Sequence, residues 1–238
     1  MDKRYFHIQK LNGLNPEWDV NDYLSTPKKA FTNQYYSDLS NSLGESIFQF
    51  GKEGTGLIKH SNSIIEKYDK NSHELDPEKE KDFYFWKSSE YETLSTNLHE
   101  SLFKSLAWIR EEIFENIREC DFKDSPSRKK CIWLTDYENL PNWWKMFEET
   151  KNKKIFEIEI LNSGKIHLAD ANFIIAETFR ISEFESLAES YWSGKIEKKD
   201  EIEILYEGDF KIINEFKNID EIYPDSAIVP FVPTNKRK

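Results

Sequence analysis

The feature that most constrains this chain lies between residues 131 and 216, where short apolar runs with strand-like alternation recur. They are CIWLT (131–135), KIFEIEIL (154–161), KIHLA (165–169), EIEILYE (201–207) and FKIINEF (210–216). Each sets aliphatic or aromatic residues at alternate positions, the pattern of a half-buried strand. NSG between the second and third runs, and GD between the last two, are turn sequences suited to hairpins. Helices fit at 139–151 and 183–192. Short strands mixed with helices, several of them joined by hairpins, predict an α+β domain with largely antiparallel pairing.

The chain upstream reads differently. RYFHI (4–8) alternates like a strand, and the turn-rich stretch LNGLNPEWD follows it. From about residue 36 to 120 the pattern is mainly helical. Asp76-Pro77-Glu78 reads as a helix start, with a cap residue before a proline in the first turn. Leu98, Leu102, Leu106, Ile109, Ile113 and Ile117 then recur at helical spacing. The expected organisation is one domain over 1–238, with a helical insertion at about 36–120, core motifs at 4–8 and 128–216, and a tail at 217–238.

At 238 residues the chain is long enough for a substantial core. Its 38% hydrophobic and 32% charged residues are those of a globular protein with a highly charged surface. No apolar run approaches the roughly 18 residues that a membrane span needs. The start MDKRYFHIQK lacks the apolar core of a secretory signal. Cys120 and Cys131 are the only cysteines, too few for a disulfide framework. The expectation is a cytoplasmic protein with no membrane partner. A net charge of −11 argues against generic nucleic-acid binding, which depends on neutralising phosphates. Arg128, Lys129, Lys130, Lys151, Lys153, Lys154 and the terminal NKRK form local basic clusters, read as solvated surface or, if they converge, as a groove for a polyanion.

Three indoles, Trp133, Trp143 and Trp144, fall within twelve residues. By residue type they are core or the walls of a pocket for a flat ligand. His7 is a partly buried histidine or a ligand contact. His60, His73, His99 and His167 make no metal constellation. No glycine-rich phosphate loop and no Gly-x-Ser-x-Gly elbow occurs, so kinase, GTPase and α/β-hydrolase readings gain no support.

CIWLTDYENLPNWW resembles the central motif of the NAD-dependent ADP-ribosyltransferases of the diphtheria-toxin and poly-ADP-ribose-polymerase kind. In that family a strand ending in Asp carries an aromatic residue, and the next helix brings a second aromatic eleven residues later. Ile132-Trp133-Leu134-Thr135-Asp136 resembles the strand, and Trp144 lies eleven residues after Trp133. RYFHI resembles the family's first strand, with His7 as its His. EIEILYEG resembles its Glu-led strand, with Glu203 ahead of Ile204-Leu205-Tyr206, and Glu201 as the rival acid two residues earlier. The departures are Ile8 where the family has Gly, Trp133 where it has Tyr, and Pro141 where a Ser commonly helps hold the nicotinamide amide.

The resemblance implies a split antiparallel sheet core and NAD as a substrate. It implies Glu203, His7 and Trp133 as catalytic residues. It implies His7, Trp133 and Trp144 around NAD, with Trp143 as packing; Ser127 and Arg128 precede the central strand, where an Arg can reach a pyrophosphate. The nicotinamide leaves as a neutral base without a general acid, and the barrier is the positive charge developing on the ribose. A carboxylate beside the sugar stabilises that charge, as in glycosidases. Aromatic faces attract the cationic nicotinamide. His7 would orient a ribose hydroxyl. The acceptor is a macromolecule, a protein or alternatively RNA or DNA, and by analogy of fold a toxin or anti-phage role with a cognate inhibitor protein is expected. An RNA phosphotransferase and a non-catalytic NAD- or ADP-ribose-binding module remain as alternatives.

Overall fold

The computed structural model describes residues 4–11, 17–26, 77–161, 164–175 and 180–224, together with helical positions 35, 36, 39, 56 and 59. Most of the stretch 36–76, with His60 and His73, lies outside the described residues. So do Asp76, Asn162, Ser163 and the tail from residue 225, NKRK included. The chain divides into two units, one of Met1–Asn33, Glu115–Thr178 and Glu185–Lys238, the other of Gln34–Phe114 and Phe179–Phe184.

The first unit is built on seven strands: β1 (Tyr5–Lys10), β2 (Tyr23–Ser25), β3 (Ile132–Asp136), β4 (Lys153–Ile160), β5 (Lys165–Asp170), β6 (Ile202–Glu207) and β7 (Asp209–Phe216). They form one sheet in the order β2-β7-β4-β1-β3-β6-β5, every neighbouring pair antiparallel. The protein is therefore α+β. All six alternating segments are strands, and β2 is an added short one. The sheet is nearly two half-sheets. β1 pairs with β4 over six residues but with β3 only at Tyr5↔Asp136 and Phe6↔Thr135. Beyond Phe6 the two strands part.

The expected hairpins are corrected by this order. β4 pairs with β1 and β7, β5 pairs with β6, and neither NSG nor GD joins two paired strands. Instead β4 lies beside β7 and β5 beside β6, so that β4 and β7 belong to one half-sheet and β5 and β6 to the other. The Leu161 N–H reaches the Asp209 carbonyl at 3.0 Å, and Lys165 pairs with Glu207. Gly164 passes so close to Glu207 and Gly208 that a Cβ there would lie 2.4 Å from the Glu207 carbonyl oxygen and 2.8 Å from Gly208 Cα. Gly164 here serves close approach of two backbones, which local sequence cannot distinguish from a hairpin turn.

Two apolar clusters hold this unit together. One contains Trp18, Ile132, Leu134, Phe156, Ile158, Ile204, Tyr206, Phe210 and Ile212. The other contains Phe6, Leu140, Ile155, Ile219 and Ile222, with Ile8 and Trp144 packed on it. Each fully buried large side chain contributes about 1.5–3 kcal/mol, so these clusters dominate the unit's stability.

The helices are α1 (Pro77–Asp121), α2 (Leu140–Met146), α3 (Asn172–Ile175) and α4 (Ile181–Trp192). α1 is described from Pro77 onward, and the expected cap at Asp76 lies outside the described residues. Its buried face is not the expected aliphatic stripe. Leu98, Leu102 and Ile109 are exposed, while Ser101, Ala107, Glu111, Phe114, Glu115 and Arg118 are buried. Buried charges are tolerated because they are bonded: Glu111 accepts from Arg110 at 2.8 Å and from the Tyr36 hydroxyl, and Glu115 accepts from Arg118 at 2.8 Å. α4 ends in a Schellman motif, with the Lys195 N–H on the Ser190 carbonyl at 3.2 Å and Gly194 at φ 73°. No helix among the described residues is long and apolar enough to cross a membrane.

Candidate active site

The parting of β1 from β3 opens a cleft of about 460 Å³, counted out to open solvent. Phe6, His7 and Ile8 line it from β1, Trp133, Leu134 and Thr135 from β3, Trp143 and Phe147 from α2 and the turn after it, and Glu203 from β6. Its mostly apolar lining, with a few polar groups, is that of a small-molecule site.

His7 closes the gap where the backbone ladder stops. Its Nδ1 lies 2.8 Å from the Trp133 carbonyl oxygen. A carbonyl only accepts, so Nδ1 carries the proton and, in the neutral ring, Nε2 is an acceptor. Trp18 packs against the ring, tilted by 33° at 4.9 Å between centroids. Burial lowers the His7 pKa to about 4, with the bond to Trp133 opposing, so the ring is neutral at ordinary pH.

Glu203 is the second residue of β6, a strand flanked by β3 and β5; it pairs with Ala169 of β5, one residue before the β3 ladder begins at Ile204. It is only 9% exposed. Arg128 Nη1 donates to its Oε1 at 2.7 Å, and the Tyr191 hydroxyl donates to the same oxygen. Oε2 accepts no hydrogen bond from any described residue. Arg128 is itself buried, its guanidinium 5.2 Å from the Trp133 ring centre and 5.1 Å from that of Tyr191. Burial pushes the Tyr191 hydroxyl well above its ordinary pKa; the Arg128 charge opposes this and Glu203 adds to it, so the hydroxyl remains a donor.

A family model described as "Protein of unknown function (DUF2441)" matches residues 5–221. The chain belongs to the DUF2441 family. The match starts with β1 and runs past β7, so it takes in every residue that lines the cleft. No curated protein matches the chain.

Within this DUF2441 chain the structure brings His7, Trp133 and Glu203 to one cleft, from three neighbouring strands. The other sequence assignments change. Trp144 packs on the cluster around Phe6 and Leu140, with the Lys153 ammonium 4.1 Å from its ring centre, and Trp143 takes the cleft wall. The two indoles thus exchange the places expected of them. Trp143 also donates from Nε1 to the Ile202 carbonyl at 2.8 Å, tying α2 to the start of β6. Ser127 is buried, its hydroxyl on Glu115 at 2.7 Å and its N–H on Glu207 at 3.0 Å. Neither Ser127 nor Arg128 lines the cleft, and Arg128 meets a carboxylate where a pyrophosphate was expected. Glu201 sits in a 3₁₀ turn with Lys198 at 2.9 Å, outside the cleft lining.

Phe6, Leu134, Thr135 and Phe147 line the cleft without having been assigned to it from the sequence, and Trp18 and Tyr191 support it from behind, on His7 and Glu203. Phe147 stacks on Trp143 at 6.4 Å between centroids, and the i,i+4 spacing of the two was the available signal. Trp18 comes from the turn-rich stretch after β1 and carries no such signal. Asp170 caps the turn after β5, accepting from the Asn172 N–H at 2.9 Å. It also accepts from the Glu197 and Lys198 N–H groups at 2.7 and 2.8 Å, which fixes the loop leading into β6.

No described member of the basic clusters lines the cleft, nor does any other described Lys or Arg. Arg128 is spent on Glu203, Lys154 pairs with Glu215 at 2.9 Å, and Lys153 donates to the Trp144 and Phe147 carbonyls at 3.0 and 2.6 Å.

Proposed function

We propose that this DUF2441 protein is an NAD-dependent ADP-ribosyltransferase with a core of that family's split-sheet kind. The observation that carries the reading is the meeting of His7, Trp133 and Glu203 around one cleft, from β1, β3 and β6. These are the three residues that the family resemblance selects from distant parts of the chain.

The residues fit the chemistry of NAD as substrate. Glu203 presents a carboxylate to stabilise positive charge that develops on the ribose as the glycosidic bond to nicotinamide breaks. The departing nicotinamide is neutral, so no general acid is needed. Neutral His7, with Nδ1–H engaged by Trp133, offers Nε2 to accept from a ribose hydroxyl. Trp143 and Phe147 supply aromatic wall for a cationic ring, joined by Trp133. The absence of cationic lining among the described residues favours a protein side chain over RNA or DNA as the acceptor.

A non-catalytic NAD- or ADP-ribose-binding module is the second reading, and one observation favours it: Arg128 already neutralises the Glu203 charge. Labelled NAD decides between them. The full chain is incubated with NAD labelled in the adenylate part and a cell lysate, and products are treated separately with protease and nucleases. Transfer to material that protease removes and nuclease leaves is the expected result. Binding without nicotinamide release would select the binding module, and nuclease-sensitive label would move the acceptor to nucleic acid.

A further inference from the structure

We propose that Arg128 and Tyr191 are positioning residues for Glu203, fixing one carboxylate oxygen so that the other faces the cleft. This rests on the reading of Glu203 as the group that meets the reacting sugar. Arg128 lies before β3 and Tyr191 near the end of α4, so the two donors approach from separate elements. Both hydrogen bonds fall on Oε1, and Oε2 takes none from the described residues. One donor leaves a carboxylate free to swing about its last torsion and exchange oxygens; two donors on one oxygen remove that freedom.

The donors are themselves held. Arg128 lies against the rings of Trp133 and Tyr191 and donates to the Tyr191 hydroxyl at 2.5 Å. The Tyr191 carbonyl accepts from His167 Nε2 at 3.0 Å and from the Gly194 N–H at 3.1 Å, which pins the end of α4. A buried ion pair is weak evidence of a purely stabilising role, because apolar residues of similar volume commonly do as well. A pair that holds one oxygen of a cleft-lining carboxylate and leaves the other without a bond from the described residues is accounted for by orientation. Neither Arg128 nor Tyr191 lines the cleft, so each acts through Glu203 and does not itself contact substrate.

The test is a double-mutant cycle read by nicotinamide release, with the full chain, Tyr191→Phe, Glu203→Gln and the double variant. Tyr191→Phe is expected to lower kcat about tenfold, the worth of one hydrogen bond to a charged group. KM for NAD is expected to stay within about threefold, since Tyr191 does not touch the cleft. In the Glu203→Gln background the further change is expected to fall below about twofold, because two residues acting as a unit are not additive. Arg128→Lys, which keeps the charge and loses the planar fork, carries the same cycle if Tyr191→Phe does not fold. An equal loss in both backgrounds would show that Tyr191 does not act through Glu203 and would overturn this inference while leaving the transferase reading standing. A wild-type chain that releases no nicotinamide would overturn the transferase reading and this inference with it.

Discussion

Glu203→Gln should destabilise the protein substantially, although the substitution preserves size. In an open, solvated cleft the same change would cost little. Here the Arg128 and Glu203 side chains are 4% and 11% exposed, and the pair is 2.7 Å apart. Two charges about 4 Å apart, centre to centre, at an effective dielectric near 20 attract by about 4 kcal/mol. Gln retains a carbonyl to accept from Tyr191 and Arg128, which recovers about 1 kcal/mol. The net loss is about 3 kcal/mol, in the range for breaking a buried pair from one side. For a chain of this length each kcal/mol lowers the melting temperature by about 2–4 °C, so the expected drop is about 6–12 °C. Thermal melts followed by circular dichroism at pH 7 measure it. Removing both charges, with Arg128→Met added, should lose less than the sum of the two single changes. A Glu203→Gln variant that melts within about 2 °C of wild type would refute the claim that this pair is desolvated. The expected activity loss of about a hundredfold must then be read per folded molecule.

Gly164→Ala should cost at least about 2 kcal/mol in urea unfolding, because the new Cβ would meet the Glu207 carbonyl oxygen at 2.4 Å; a wild-type midpoint would mean that the approach of Gly164 to Glu207 is looser than described. His7 has a folded pKa of about 4 against an ordinary 6.5, so its contribution is complete above pH 6.5 and is lost as pH falls toward 4. With some solvent at the cleft the loss is about 1–3 kcal/mol, and His7→Gln should flatten it; equal falls in both chains between pH 7 and 4.5 would point to other groups. Trp144→Ala should cost about 3 kcal/mol of stability, while Trp143→Ala should chiefly weaken NAD binding, measured by fluorescence titration per folded molecule; the reverse pattern would return the cleft wall to Trp144.

The strands were legible because alternation survives wherever one face is buried. Their partners were not. NSG and GD carry hairpin residues, yet Gly164 and Gly208 lie where one backbone passes another, a requirement set by residues about forty positions away in the chain. The helical stripe failed for a different reason. Leu98 and Leu102 are apolar and exposed, whereas Glu111 and Arg118 are charged and buried. Hydrophobic pattern alone weighs the cost of burying a charge without the partner that offsets it, and here the partners are Tyr36 and Arg110 for Glu111, and Glu115 for Arg118.

The exchange of Trp143 and Trp144 shows what fixes a site at the level of one helix turn. Leu140 is fully buried and sets the phase of α2. Residue i+4 from it is Trp144, which therefore joins Leu140 in the core cluster. Trp143 and Phe147 form the other i,i+4 pair, on the stripe that faces the cleft. An eleven-residue spacing from Trp133 says nothing about that phase, because the turn between β3 and α2 can place the helix in any rotation. Glu203 poses the same problem in another form. In KKDEIEILYEG it looks like one acid among many on a solvated edge. What makes it singular is Arg128, seventy-five residues earlier, and Tyr191, twelve earlier, and only the sheet order that sets β3 beside β6 brings them together.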